Sequence, residues 1–142
     1  MKSFFFAIII TFTFPCFSQN EISWSFGFDA QSSTLTFTAK LQEGWHVYSI
    51  TPNEGGPVPT SFEFKDNGSF TVKGNIIEPT PIQVYDENFA TNVQYFSNEV
   101  TFKQPIQVKS SGKVEGNVVY MICNDQMCFP PEEQKFTITI SN

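Results

Sequence analysis

A two-residue rhythm constrains this chain more than any other feature. Leu35, Phe37, Ala39 and Leu41 alternate with Thr36, Thr38 and Lys40. In an extended backbone that pattern puts the apolar side chains on one face and the polar ones on the other. Trp24, Phe26 and Phe28 alternate in the same way, and so do Phe136, Ile138 and Ile140. Further strands are predicted at Trp45–Tyr48, Thr60–Phe64, Ser69–Lys73, Val93–Phe96, Glu99–Phe102, Ile106–Val108, Val114–Ile122 and Lys135–Ile140. No window of eleven or more residues carries a helical period. Turn signals such as Asp66-Asn67-Gly68, Lys73-Gly74-Asn75 and Ser110-Ser111-Gly112 recur at about the 8–12-residue spacing of a sandwich or barrel. The expected fold is all-β: a single-domain antiparallel β-sandwich of immunoglobulin-like character. Thr51–Pro59 and Glu78–Asn92 are predicted to be irregular, and long ordered loops are where function tends to sit.

The first residues belong to a different category. Lys2 precedes Phe4–Phe14, an apolar or hydroxylated run of eleven, and Pro15 ends it before Cys16-Phe17-Ser18. This pattern predicts a secretory signal peptide, residues 1–18, cleaved after Ser18. The run falls short of the ~20 apolar residues that a membrane span needs. A lipidated Cys16 would want small residues before it, which Phe12-Thr13-Phe14-Pro15 does not supply. Residues 19–142 are then a domain of ordinary size, exported to the periplasm or secreted, with no membrane insertion after cleavage. Losing Lys2 takes the formal net charge from −6 to −7, and the chain has no arginine. An acidic surface of that kind argues against nucleic acid, whose phosphates need clustered positive charge.

Cleavage would also remove Cys16 and leave two cysteines, Cys123 and Cys128, in an oxidising compartment. Three uses are open. As a staple the pair closes a small ring, which is worth about 2 kcal/mol in the chain-entropy model against about 4.7 for a 100-residue loop. As a metal clip it lacks partners, because structural zinc needs four ligands and the chain adds one histidine, His46. Met121 and Met127 would suit copper, yet methionines beside a strand are ordinary packing. No metal and no cofactor are expected. As a redox pair it fits its surroundings. Cys123 ends the apolar run Val118–Ile122, and Cys128 precedes Phe129-Pro130-Pro131, which stops a strand. That places the pair on a loop end that another protein can reach. The nearest charges are Asp125, Glu132 and Glu133, which disfavour a thiolate and suit a dedicated partner over indiscriminate attack.

Four stretches then occur in order: Gly44-Trp45-His46-Val47-Tyr48; Gly55-Gly56-Pro57-Val58-Pro59-Thr60; Tyr85-Asp86-Glu87-Asn88-Phe89; and Tyr120-Met121-Ile122-Cys123 followed by Cys128-Phe129-Pro130-Pro131. Together they resemble the N-terminal periplasmic domain of the thiol:disulfide interchange protein DsbD, over essentially the whole of residues 19–142. The resemblance implies a sandwich that passes reducing equivalents between a thioredoxin-like redox protein and oxidised client proteins. It implies that Cys128 is the attacked or attacking cysteine and Cys123 the resolving one. It also implies a cap loop at Asp86, Glu87 and Phe89, with Phe89 as the shield, and aromatic support from His46 and Tyr48. Taken alone, Phe89 is ordinary packing, Asp86 and Glu87 a solvated face, His46 a half-buried histidine and Tyr48 a core or rim residue. There are departures from the pattern: four residues separate the cysteines where some relatives have five, His46 stands where tyrosine is common, and Asn88 lengthens the loop. The chain stops at Asn142, so the reductant is expected to arrive in trans. The competing expectation is a non-enzymatic secreted sandwich that binds proteins, with an inert structural disulfide.

Overall fold

The computed structural model describes residues 20–142; the expected signal peptide and Cys16 lie outside them. Eleven strands form antiparallel sheets, and none of the described residues is helical. The first layer holds β1 (Ile22–Asp29), β2 (Thr34–Leu41), β8 (Glu99–Val108) and β5 (Phe70–Val72), in the order β1-β2-β8-β5. The two-residue rhythm explains it. Phe26 pairs with Phe37, and Phe37 with Phe102, so the apolar positions of three strands fall in rows on one face.

The second layer has two sheets. One is β11 (Glu132–Ile140), β9 (Gly112–Tyr120) and β4 (Ser61–Phe64); the other is β10 (Ile122–Cys123), β3 (His46–Tyr48), β7 (Thr91–Ser97) and β6 (Ile82–Asp86). Aromatic contacts close the sandwich. Phe37 lies 4.6 Å from Phe62 and 5.1 Å from Phe136, and Phe96 meets Phe102 edge-on at 5.7 Å. All of these belong to one continuous core together with Leu35, Val47, Val118 and Ile122. This is the immunoglobulin-like sandwich that the alternation predicts.

Three local expectations change. The apolar run Val114–Ile122 is not one strand: β9 ends at Tyr120, and β10 begins at Ile122 in the other sheet. Glu99–Phe102 and Ile106–Val108 are one strand that runs through Pro105. Proline is tolerated there because the outer neighbour has left the ladder. Ile77 pairs with Lys103 and Val72 with Ile106, while the chain between them turns away. The Pro105 carbonyl still accepts from the Lys73 N–H at 2.9 Å. Finally, Glu78–Asn92 is not wholly irregular, since it contains β6, paired with β7 from Ile82↔Tyr95 to Asp86↔Thr91.

Thr51–Pro59 does run as a loop, and Glu78 anchors its start. The carboxylate accepts from the Ser49 hydroxyl at 2.6 Å and from the Ile50 N–H at 3.0 Å. Ser49 is buried, so Glu78→Ala is expected to destabilise the domain by about 1–3 kcal/mol. Urea unfolding with an unchanged m-value would measure it.

Candidate redox site

The site begins with the parity of β3. Val47 points into the main core, so His46 and Tyr48 point to the opposite face of the β10-β3-β7-β6 sheet. Register carries that parity across the sheet. Cys123 pairs with His46, His46 with Ser97, and Tyr48 with Tyr95, while Ile122 and Phe96 flank Val47 on the core side. The outer face therefore gathers Cys123, His46, Tyr48, Val93 and Tyr95. Tyr48, Val93 and Cys123 are fully enclosed there as a second, smaller cluster.

Cys123 and Cys128 are joined as a disulfide across a short hairpin, with Cα atoms 4.0 Å apart. The hairpin builds itself. The Asn124 side chain accepts from the N–H groups of Gln126 and Met127, both at 2.8 Å, and the Asn124 N–H donates to the Met127 carbonyl. The Phe129 N–H then donates to the Ile122 carbonyl, and the Phe129 ring packs 4.8 Å from Trp45. Pro130-Pro131 follows, and pairing resumes only at Glu132. The two cysteines are unequal: Cys123 is 2% exposed, whereas Cys128 is half-buried at the rim. The loop-end expectation thus holds for Cys128 and is corrected for Cys123, which the strand pairing with β3 draws under the surface.

The loop expected to be a cap is the turn of the β6–β7 hairpin, Glu87–Ala90. Asp86 shapes it, its carboxylate accepting from the Asn88 N–H at 2.8 Å and from the Phe89 N–H at 3.4 Å. Ala90 closes the turn at φ 52°, a left-handed conformation that costs an alanine about 1 kcal/mol. The turn brings Phe89 onto the outer cluster of Tyr48, Val93 and Cys123, against which Cys128 also packs, with its ring edge-on to Tyr48 at 6.2 Å. Glu87 stays exposed and makes no such contact. Of the expected site residues, Cys123, Cys128, Phe89, His46 and Tyr48 meet in one place; Asp86 holds the turn, and Glu87 stands aside.

His46 Nε2 lies 3.2 Å from the Tyr48 hydroxyl, and its ring lies 4.4 Å from that of Tyr95. Burial pushes the imidazole below its ordinary pKa, opposed by the negative charges of Asp86 and Asp125. Burial raises the Tyr48 phenol well above its ordinary value, and Asp86 and Tyr95 reinforce the shift. Sequence reasoning missed Tyr95 and Val93, and it placed Asp125 beside the cysteines without foreseeing its influence on His46. Alternation of Val93 and Tyr95 about Gln94 would have found the first two.

A family model described as "Thiol:disulfide interchange protein DsbD, N-terminal" matches residues 16–140. The chain belongs to this family. Among solved structures it is similar to the DsbD N-terminal domain of Neisseria meningitidis in its reduced form, with a TM-score of 0.65 and 13% identity over 86% of this chain and 87% of that one. It is similar also to a chain from the complex between the DsbD and PilB N-terminal domains of the same organism. There the TM-score is 0.61 and the identity 11%, over 82% of this chain and 80% of the other. A third likeness is to the N-terminal periplasmic domain of ScsB from Proteus mirabilis, with a TM-score of 0.55 and 17% identity. It covers 92% of this chain and 49% of that one, so this DsbD-type domain spans about half the length of the ScsB domain. No curated protein matches the sequence. At these identities the neighbours establish a shared fold, and the family model carries the assignment to thiol:disulfide interchange.

Proposed function

We propose that the domain is an exported thiol–disulfide exchange module, working in the periplasm or outside the cell. It passes reducing equivalents from a thioredoxin-like donor to oxidised client proteins through Cys123 and Cys128. The observation that carries this reading is the asymmetry of the disulfide: Cys128 half-buried at the rim, Cys123 buried in the cluster against which Phe89 packs. Exchange needs the incoming thiolate, the attacked sulfur and the leaving sulfur in line. A donor thiolate approaching from solvent can meet Cys128 Sγ. The Cys123–Cys128 bond breaks, Cys123 Sγ leaves with the electron pair, and a mixed disulfide forms between Cys128 and the donor. The donor's second thiolate attacks its own bonded sulfur, is itself oxidised, and releases a dithiol here; the dithiol then reduces a client disulfide by the reverse steps. The solved complex between DsbD and PilB N-terminal domains supports a protein partner for a domain of this fold.

The reduction potential tests the function directly. A value between those of thioredoxin and DsbA, about −270 to −120 mV, is expected; a value below about −300 mV would mark an inert staple and favour the protein-binding alternative.

The Phe89 turn acts as a shield in this reading. Phe89→Ala removes the ring that packs on the cluster holding Cys123 and is expected to speed reduction by dithiothreitol about tenfold by raising access to the disulfide. A rate unchanged in a folded variant would deny the turn its shielding role.

A further inference from the structure

Resting on the exchange function proposed above, we infer that His46 is the proton acceptor that frees Cys123 to resolve the mixed disulfide. Register gives the geometry. Cys123 and His46 are paired opposite each other on the outer face, and such partners hold their Cβ atoms about 4.5–5.5 Å apart. The chemical need follows from burial. Once Cys128 is bonded to a partner, Cys123 is a thiol enclosed with Tyr48 and Val93, and only its thiolate can attack. Solvent base has no open route to a group that is 2% exposed.

The groups around His46 narrow the choice. Tyr48 lies beside it on β3, Tyr95 comes from β7, Asp86 from β6 and Asp125 from the cysteine hairpin. Tyr48, held above its ordinary pKa, keeps its proton throughout the neutral range. Asp86 spends its carboxylate on the turn N–H groups, and Asp125 is exposed. His46 is the only histidine in the chain, and burial keeps it neutral at pH 7. In the tautomer whose Nε2–H donates to the Tyr48 hydroxyl, Nδ1 keeps its lone pair.

The step balances. Nδ1 takes the Cys123 proton, and the thiolate attacks Cys128 Sγ. The Cys123–Cys128 bond forms, the bond from Cys128 to the partner breaks, and the partner's sulfur leaves as a thiolate. The imidazolium then yields its proton to solvent. In the opposite direction the imidazolium protonates Cys123 as it departs.

Stopped-flow oxidation of the dithiol protein by an aromatic disulfide, 5,5′-dithiobis(2-nitrobenzoate), separates the two halves. The first release of thionitrobenzoate reports attack by Cys128, and the second reports resolution by Cys123. In the wild type the second phase is expected to be level around pH 7 and to fall as His46 protonates at lower pH. In His46→Gln it should be slower by about tenfold to a hundredfold at pH 7. It should then climb about tenfold per pH unit, with the first phase within about twofold of wild type. A second phase with the wild-type rate and slope overturns the role of His46 alone; absence of both phases in the wild type overturns the exchange function itself. Should the variant fail to fold, NMR titration of the His46 ring in the wild type decides. Reduction of the disulfide must shift that titration, and an identical curve in both redox states overturns the inference.

Discussion

Cys128→Ser is expected to fold and to lose all exchange with a reduced thioredoxin-like protein. Cys123→Ser, in contrast, should accumulate as a stable mixed disulfide with it. The difference follows from where the sulfurs sit. Cys128 is the half-buried member at the rim, and without it no sulfur remains that a partner can meet, since Cys123 is enclosed by Tyr48, Val93 and Phe89. Without Cys123 the rim cysteine would still attack, and under the proposed roles nothing inside would expel the partner. The structural cost of either change is small. The bond closes a ring with a sequence separation of only five, worth about 2 kcal/mol, and the main core is a separate cluster across the sheet. Non-reducing gels of each variant mixed with a partner lacking its own resolving cysteine would report the outcome. A trapped adduct with Cys128→Ser in place of Cys123→Ser would reverse the assigned roles.

The largest expected loss of stability lies far from the disulfide, at Gly116. This residue is in the middle of β9, paired with Phe136 of β11 on one side and Phe64 of β4 on the other. The two rings pass within 5.9 Å of each other above it. A Cβ on Gly116 would collide with the Glu63 carbonyl and stand 2.6 Å from Phe136 Cζ. One neighbour is backbone in the same sheet and the other a ring wedged against Phe26 and Phe37, so neither can move freely. Gly116→Ala is therefore expected to cost about 3 kcal/mol or more, a fall in Tm of roughly 10 °C. Thermal unfolding by circular dichroism checks it. A Tm within about 2 °C of wild type would mean that β4 and β11 yield more readily than the packing implies.

Strands with one buried face were legible in the sequence, because burial imposes alternation: β1, β2 and β11 stand where Trp24–Phe28, Leu35–Leu41 and Phe136–Ile140 placed them. β6 was not, for the complementary reason. Ile82, Val84 and Tyr85 are 49%, 43% and 59% exposed, so neither face of this edge strand had to be apolar and no period was written into it. The passage from β9 to β10 was hidden as well. Both sides of Met121 are buried, and an apolar run continues unbroken when a chain leaves one sheet for the next without surfacing. The site was legible in part. Cys123 and Cys128 stood out by chemistry. His46, Tyr48, Asp86 and Phe89 stood out only by their likeness to a family, since each has an ordinary structural use. Alternation about Gln94 puts Val93 and Tyr95 on one face, but that this face is the one shared with Tyr48 depends on register between β3 and β7, which local sequence does not encode.

β3 has three residues, and they face both ways: Val47 into the main core, His46 and Tyr48 toward the disulfide. A one-residue slip of this strand would expel Val47 and drive an imidazole into the hydrocarbon interior. Such a misregistered chain would thus be destabilised. The register that keeps the core apolar is therefore the same one that sets His46 and Tyr48 on the Cys123 face.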